Sequence, residues 1–267
     1  MRGMDRAIRL LQITDPHLFG NAAGAMRGVV TRRSLESVLE HARAEIEAAA
    51  AILLTGDIVN DDPGGYATAR ELLGGLGRPV WCLPGNHDDT VLMQRELAVD
   101  PFQVGGHHDL GHWRVVMLDS CAAGHAHGSL ADEELERLEA ALGSAHGRHV
   151  LVALHHHPIA MGSRWIDSVA LQNPQALFAI TDRYPAVRAM IWGHVHQQHD
   201  SLRRGVRMLA TPSTCAQFLP HSDQFAIDAA PPGYRCLALH ADGRIETEVR
   251  RVTVAATSAP AQRQASS

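Results

Sequence analysis

The chain has 267 residues, 45% of them hydrophobic, and sets 24 basic against 29 acidic side chains for a formal net charge of −5. That length supports one large core, and the even charge spread excludes the electrostatic footprint of a nucleic-acid or anionic-membrane binder. A charge-broken N-terminus, no run long enough to span a bilayer and four scattered cysteines without CxxC spacing predict a soluble cytoplasmic protein with reduced thiols.

In chain order, the first apolar run, "IRLLQIT" (8 to 14), predicts a buried strand. A helix is expected over 31 to 50, where Leu35, Val38, Leu39, Ala42 and Ile46 share one face and Thr31 or Ser34 is the expected N-cap. Further strands are predicted at 51–55, 79–83, 113–119, 149–154 and 187–192, with a second helix near 131 to 142 whose first turn carries Asp132 to Glu134. Strands alternating with helices predict an α/β fold, largely parallel at its start. In the last third, "GVRMLAT" and "YRCLALHADGRIETEVRRV" read as antiparallel strands and a hairpin turning at Asp242 and Gly243. Residues 255 to 267 have little to bury and are expected to be a disordered tail, leaving 1 to 254 as one domain.

Of 18 histidines, several stand directly after these apolar runs. The strand at 8–14 runs into Asp15 and His17, the next into Asp57, and the third into Asn86 and His87. The strand at 149–154 ends in His155, His156 and His157, and that at 187–192 in "GHVH", with His194 and His196. In a sheet built by right-handed crossovers the carboxyl ends of parallel strands share one edge, so these loops are expected to meet. Carboxylates, imidazoles and an amide, without thiolates, suit divalent iron, manganese, zinc or cobalt rather than a structural zinc site. Asp15, His17, Asp57, Asn86, one histidine of the triplet, His194 and His196 are too many for one tetrahedral ion and about right for two that share a carboxylate. Gly56, Gly85 and Gly193 precede three of the ligands and permit tight turns.

The segments "DPHL", "GDIVND", "GNHD", "HHHP" and "GHVH", in this order, resemble the signature of the calcineurin-like metallophosphoesterases. The surrounding text, "LHHHP", "GHVHQ", "LATPSTCAQF" and "PPGYRCLALHADGRIETEV", is similar to the bacterial class III cyclic AMP phosphodiesterases as far as about residue 252. The resemblance implies a four-layer αββα sandwich of two mixed sheets flanked by helices. It implies Asp15, His17 and His196 on one metal, Asn86, His155 and His194 on the other, and Asp57 bridging. His155 is the choice from the triplet because the histidine leaving the strand is the ligand in the family pattern; His156 and His157 are then supporting or solvent-facing.

Two metals roughly 3.5 to 4 Å apart acidify a water held between them, and the hydroxide attacks phosphorus in line. The substrate phosphate is expected to meet His17, Asp57, Asn86, His87 and His196, with Asp57, Asn86 and His87 carrying catalysis and His87 protonating the departing ribose oxygen. Asp88 is expected to orient His87 or cap the following helix. The implied reaction is hydrolysis of cyclic 3′,5′-AMP to 5′-AMP with two divalent ions, iron and manganese first and zinc, cobalt or magnesium next. The alternative substrates are 2′,3′-cyclic nucleotides and glycerophosphodiesters, and a metal-binding scaffold without activity is the reading from another class. Partners reduce to a cyclic nucleotide, without nucleic acid or membrane, and a homodimer is left open. Elsewhere Cys82, Cys215 and Cys236 read as buried small hydrophobes, His107, His108, His125 and His127 as surface loop residues, and Trp165 as a pocket wall or packing residue.

Overall fold

The computed structural model describes residues 7 to 254, so residues 1 to 6 and the tail expected at 255 to 267 lie outside the described residues. Its main strands are β1 (Ile8–Ile13), β2 (Ala51–Thr55), β3 (Val80–Leu83), β4 (Phe102–Val104), β5 (Gly106–Leu110), β6 (Trp113–Met117), β7 (His149–Ala153), β8 (Val187–Trp192), β9 (His199–Arg203), β10 (Val206–Ala210), β11 (Gly233–Leu239) and β12 (Ile245–Arg251). They form two six-stranded sheets, in the orders β12-β11-β1-β2-β3-β4 and β9-β10-β8-β7-β6-β5. In the first, β1 to β4 run parallel and β11 and β12 add antiparallel. In the second, β6, β7, β8 and β10 run parallel between the antiparallel edges β5 and β9.

The apolar runs are continuous because each central strand is buried on both faces. Leu10, Leu53, Val115, Leu151 and Ile191 point between the sheets, where they pack with Trp81 and Trp113. Their chain neighbours Leu11, Ile52 and Leu54 face the helices α1 (Thr31–His41), α2 (Arg43–Ala48), α3 (Gly65–Leu73) and α4 (Thr90–Leu97), while Val116, Val152 and Met190 face α5 (Asp132–Gly143), α6 (Arg164–Asp167) and α7 (Pro174–Thr181). Three apolar layers between four structural layers are the expected αββα sandwich. Among the described residues, no helix is long and apolar enough to cross a membrane.

Several local expectations need correction. The helix expected over 31 to 50 is interrupted at Ala42, although the Ala42 N–H still bonds the Val38 carbonyl and its own carbonyl accepts from Ile46, so the apolar stripe carries across the joint. Val30 is its N-cap without a side-chain cap; Thr31 is already helical, and the Ser34 hydroxyl donates instead to the Thr214 carbonyl. The strand in "GVRMLAT" is parallel to β8 and antiparallel only to β9. His107 and His108 lie on β5, an edge strand whose polar text hid it, and His108 stacks on Trp81 at 4.1 Å. The four cysteines are free thiols, with Cys82 and Cys215 buried and Cys236 only half-buried.

At the carboxyl ends of the central strands the apolar layer between the sheets gives way to a polar belt. Gln12 of β1 donates to the Thr55 hydroxyl and the Trp192 carbonyl and accepts from Thr211. Arg235 of β11, 2% exposed, donates to Thr211, Thr247 and the carbonyls of His199 and Ala210, which joins the two sheets. Burial lowers its pKa to about 10, which leaves it charged at neutral pH. Arg235→Ala strips those buried carbonyls of their donor and is expected to cost roughly 2–4 kcal/mol. The loss is read as a lower urea midpoint at unchanged slope, against less than about 0.5 kcal/mol for Arg33→Ala on the exposed face of α1.

Candidate metal centre

Five loops reach one place, each leaving the carboxyl end of a parallel strand: β1, β2 and β3 of one sheet and β7 and β8 of the other. The site thus straddles the seam between the sheets, directly beyond the polar belt. The first two loops continue the ladder of their strands, with the N–H groups of Asp15, His17 and Leu18 donating to the carbonyls of Gly56, Asp57 and Ile58. Asp15, His17, Asp57, His194 and His196 all take left-handed backbone, at φ of 51°, 48°, 48°, 64° and 49°. Each such non-glycine residue is strained by roughly 1–3 kcal/mol. Five of the ten in the described chain, and Asp61 beside them, sit here, so the strain is concentrated where the side chains must converge.

The preceding glycines act mainly through space rather than through the turn. A Cβ on Gly85 would lie 2.3 Å from the Asp57 amide nitrogen, and one on Gly193 would lie 2.1 Å from the Thr14 hydroxyl and 2.5 Å from Asp15 Oδ2. Of the three, Gly56 alone has positive φ, and a Cβ there would also strike the His155 ring.

Two groups of donor atoms result, each within 4.8 Å: Asp15, His17, Asp57 and His196, and His155, His156 and His194. The Nε2 atoms of His17 and His196 face one another at 3.2 Å, and His155 Nε2 lies 3.3 Å from Asp57 Oδ2. Asn86 lines the cleft beside His87, and its Oδ1 is buried without a donor. Burial alone would raise the Asp57 carboxyl, but His155, then His17 and His87, hold it well below the usual carboxylate range. Burial pushes His17 down to about 3 and, reinforced by neighbouring imidazoles, pushes His156 and His194 well below their usual value, so these rings are neutral and each has one lone pair.

Backbone carbonyls decide where those lone pairs point. His155 Nδ1 donates to the Thr55 carbonyl at 2.9 Å, His196 Nδ1 to Ala216 at 2.7 Å, and His194 Nε2 to Val169 at 3.1 Å. The opposite nitrogens of His196 and His194, Nε2 and Nδ1, therefore carry their lone pairs inward. Burial lowers His155, but Asp57 and Asp15 outweigh it and push its pKa up to about 9, so its Nε2 shares a proton with Asp57 Oδ2 at 3.3 Å and offers a lone pair only once that proton leaves. His156 is different. The Ser120 hydroxyl accepts from the N–H groups of both His155 and His156, so it donates its own proton to His156 Nδ1 at 2.8 Å. The proton of neutral His156 is then on Nε2, and no lone pair remains for a cation. His157 packs on His194 and approaches Asp167 at 3.5 Å; neither neighbour in the triplet faces solvent. Buried carboxylates, an orphaned amide oxygen and inward lone pairs fit divalent cations.

His87 projects into the open side of the site, 5.1 Å from the His17 ring, and its N–H donates to Asp57 Oδ1. Its orienting partner is Asp61, 2.8 Å from Nδ1, which sequence reasoning missed although it stands within "GDIVND". Asp88 neither orients His87 nor caps the helix: it accepts from the N–H groups of Ile58, Val59 and Gly85 and from the Tyr66 hydroxyl, pinning two loops together, while Asp89 caps α4. Burial, with repulsion from Asp57, pushes Asp88 up to about 7. Burial lowers His87, but Asp57 and Asp61 outweigh it and raise its pKa above the ordinary imidazole value. A cleft of about 530 Å³ opens beside His87 and Asn86, walled by Asp61, Tyr66, Asp119 and Cys121.

The profile of the calcineurin-like phosphoesterases matches residues 8–198. The chain belongs to that family. It is 43% identical over 251 residues to the 3′,5′-cyclic adenosine monophosphate phosphodiesterase CpdA of Pseudomonas aeruginosa, covering 93% of this chain and 91% of that protein. It is 40% identical to the CpdA of Escherichia coli K12, covering 92% and 90%. Among solved structures, a dimetal phosphatase from Danio rerio aligns over 93% of this chain and all of its own with a TM-score of 0.64 at 15% identity. A purple acid phosphatase from yellow lupin aligns over 94% of this chain and 55% of its own at 0.65 and 13%. At such identities the structures show the shared fold alone.

The spatial role of Gly193 is testable. Gly193→Ala is expected to fold but to displace Asp15 and weaken metal retention at least about tenfold in competition dialysis. Gly75→Ala, where nothing lies within 4 Å of the added Cβ, is expected to bind as the parent does; equal retention in both variants would mean that Asp15 tolerates the displacement.

Proposed function

We propose that the chain is a binuclear metal-dependent phosphodiesterase that opens cyclic 3′,5′-AMP to 5′-AMP in the cytoplasm. The observation that carries this reading is the pair of donor groups meeting at Asp57 beside an open His87. The nucleotide is inferred from relatives named for that activity at 39% to 43% identity over more than nine-tenths of this chain, and the compartment accords with four free thiols.

In this reading Asp15, His17 and His196 hold one cation, Asn86, His155 and His194 the other, and Asp57 serves both. His155 is preferred to His156 because its Nε2 faces the shared Asp57 carboxylate at 3.3 Å, whereas His156 Nδ1 is taken by the Ser120 hydroxyl. An all-oxygen-and-nitrogen donor set suits iron and manganese, with zinc, cobalt or magnesium as substitutes. Two bound cations supply charge neutralisation at phosphorus and a water acidified to near-neutral pKa.

The remaining steps belong to the chain. The phosphate lies against His17, Asp57, Asn86, His87 and His196. The cationic form of His87 donates through Nδ1 to Asp61 and through Nε2 to the ester oxygen. As water adds in line it gives up a proton, the bond from phosphorus to O3′ breaks, the His87 proton passes to O3′, and the proton released by the water restores the His87 cation. Asp61 keeps the imidazole in that orientation and raises its proton affinity.

The direct test is hydrolysis of cyclic 3′,5′-AMP by metal-reconstituted protein, beside its 2′,3′ isomer and a glycerophosphodiester, with Asn86→Ala as the blank. Preference for the 3′,5′ ring is expected; turnover confined to the other diesters would keep the metal centre and discard the substrate. His87→Ala is expected to lower kcat by roughly 10²–10⁴ while two metals per chain remain bound. Loss of metal together with activity would contradict its assigned role. Asp61→Asn removes one of the charges that keep His87 protonated, so the alkaline limb of the pH–rate profile should move to lower pH. An unmoved limb would take His87 out of the proton transfer.

A further inference from the structure

On the His196 side of the centre, helix α6 and the segment 217–225, far apart in sequence, bring three aromatic rings together. Phe218 stacks face to face on His196, with centroids 4.0 Å apart and planes within 6°. Trp165 and Phe225 meet Phe218 edge-on, each at 5.3 Å, and one another at 5.1 Å. Phe225 is 42% exposed. The exposed Arg27 lies 4.6 Å above its ring, so that outer face already carries a planar group. The Trp165 indole N–H has no acceptor. Trp81, Trp113 and Trp192 are at most 5% exposed, which makes Trp165 the half-buried tryptophan of the four.

An exposed aromatic face next to a polar reaction centre is a surface that solvent penalises and a planar ligand covers. The other flank offers no comparable platform: the cleft beside His87 is walled by Asp61 and Asp119, with Tyr66 committed to Asp88 and Asp89. Phe218 packs on the His196 ring, against which the proposed phosphate sits, and Phe225 and Trp165 lie one ring further out.

We infer that Trp165, Phe218 and Phe225 form the shelf on which the purine base of the nucleotide stacks, with Phe225 and Trp165 determining base affinity. The inference rests on the proposed seating of the phosphate at the metal centre. Stacking on such a face is sequence-tolerant and favours any large planar base, so the shelf selects nucleotides over ribose phosphates rather than adenine over guanine.

The test separates base from phosphate by comparing 5′-AMP with ribose 5-phosphate, which share every atom except the base and its linkage. Binding of both to the metal-loaded full chain is measured by calorimetry, with Trp165 fluorescence as a second readout. The parent protein is expected to bind 5′-AMP on the order of tenfold more tightly than ribose 5-phosphate, and only 5′-AMP should quench. In Phe225→Ala the ratio should fall toward one while ribose 5-phosphate affinity stays within about twofold, and Trp165→Leu should do the same. Phe225 is exposed enough that its removal leaves the core untouched, which guards the result against a folding defect in Trp165→Leu. A ratio near one in the parent, or a ratio that survives both substitutions, overturns the shelf and leaves the catalytic reading standing. Failure of both phosphate esters to bind would remove the metal-centred seating and the shelf with it.

Discussion

Asp15 and Asp57 are two carboxylates buried together at 0% and 2% exposure, and much of the local structure answers to that constraint. Burying an unpaired carboxylate is prohibitive, and burying two side by side is worse. The chain surrounds them with donors: the Thr14 hydroxyl and the His194 N–H on Asp15, and the His87 N–H and the His155 ring on Asp57. These donors satisfy part of each carboxylate and leave the oxygens that face the imidazoles. The negative charge left over suits a multivalent cation better than water.

Holding the carboxylates so close requires backbone that a strand end does not supply. Left-handed residues fold each loop back sharply, and glycines remove the side chains that would collide, Gly85 against Asp57 and Gly193 against Thr14 and Asp15. Such strain persists only where the surroundings over-determine the conformation. The polar belt of Gln12, Thr211 and Arg235 does that from below by locking both sheets at the edge from which the loops leave, and Asp88 does it from the side by gathering three backbone N–H groups from two loops. Strain, space and support are thus three consequences of one electrostatic demand.

The sequence made the central strands and the candidate site residues legible for the same reason. Strands buried on both faces write themselves as unbroken apolar runs, and a polar residue directly after such a run stands out, as Asp15, Asp57, Asn86, His155 and His194 do. What escaped notice depends on neighbours remote in sequence. The edge strands β5 and β9 alternate polar residues toward solvent and have no apolar signature. Asp61 looks like one more turn carboxylate until His87, 26 positions later, lies 2.8 Å away. Ser120 carries no motif, yet its two accepted hydrogen bonds commit its own proton to His156 Nδ1. The aromatic group is spread from Trp165 to Phe225, with no spacing that a linear reading can detect.

The tautomers show how a fold prepares a site before any ion arrives. A free imidazole has its proton on either nitrogen and turns about two bonds, so recruiting several of them to one cation costs orientation entropy for each. Here the carbonyls of Thr55, Val169 and Ala216 fix both the ring plane and the proton of His155, His194 and His196, and these carbonyls belong to the end of β2 and to the loops that follow β7 and β10. The ordering is therefore borne by the folding of the sandwich rather than by metal binding. A supporting hydrogen bond of this kind also makes the opposite nitrogen a better donor to a cation. Replacing one such histidine removes a ligand, whereas shifting the loop that carries its carbonyl leaves the ligand in place and frees its ring. That second failure is the one a linear motif cannot register, because every signature residue would still be present.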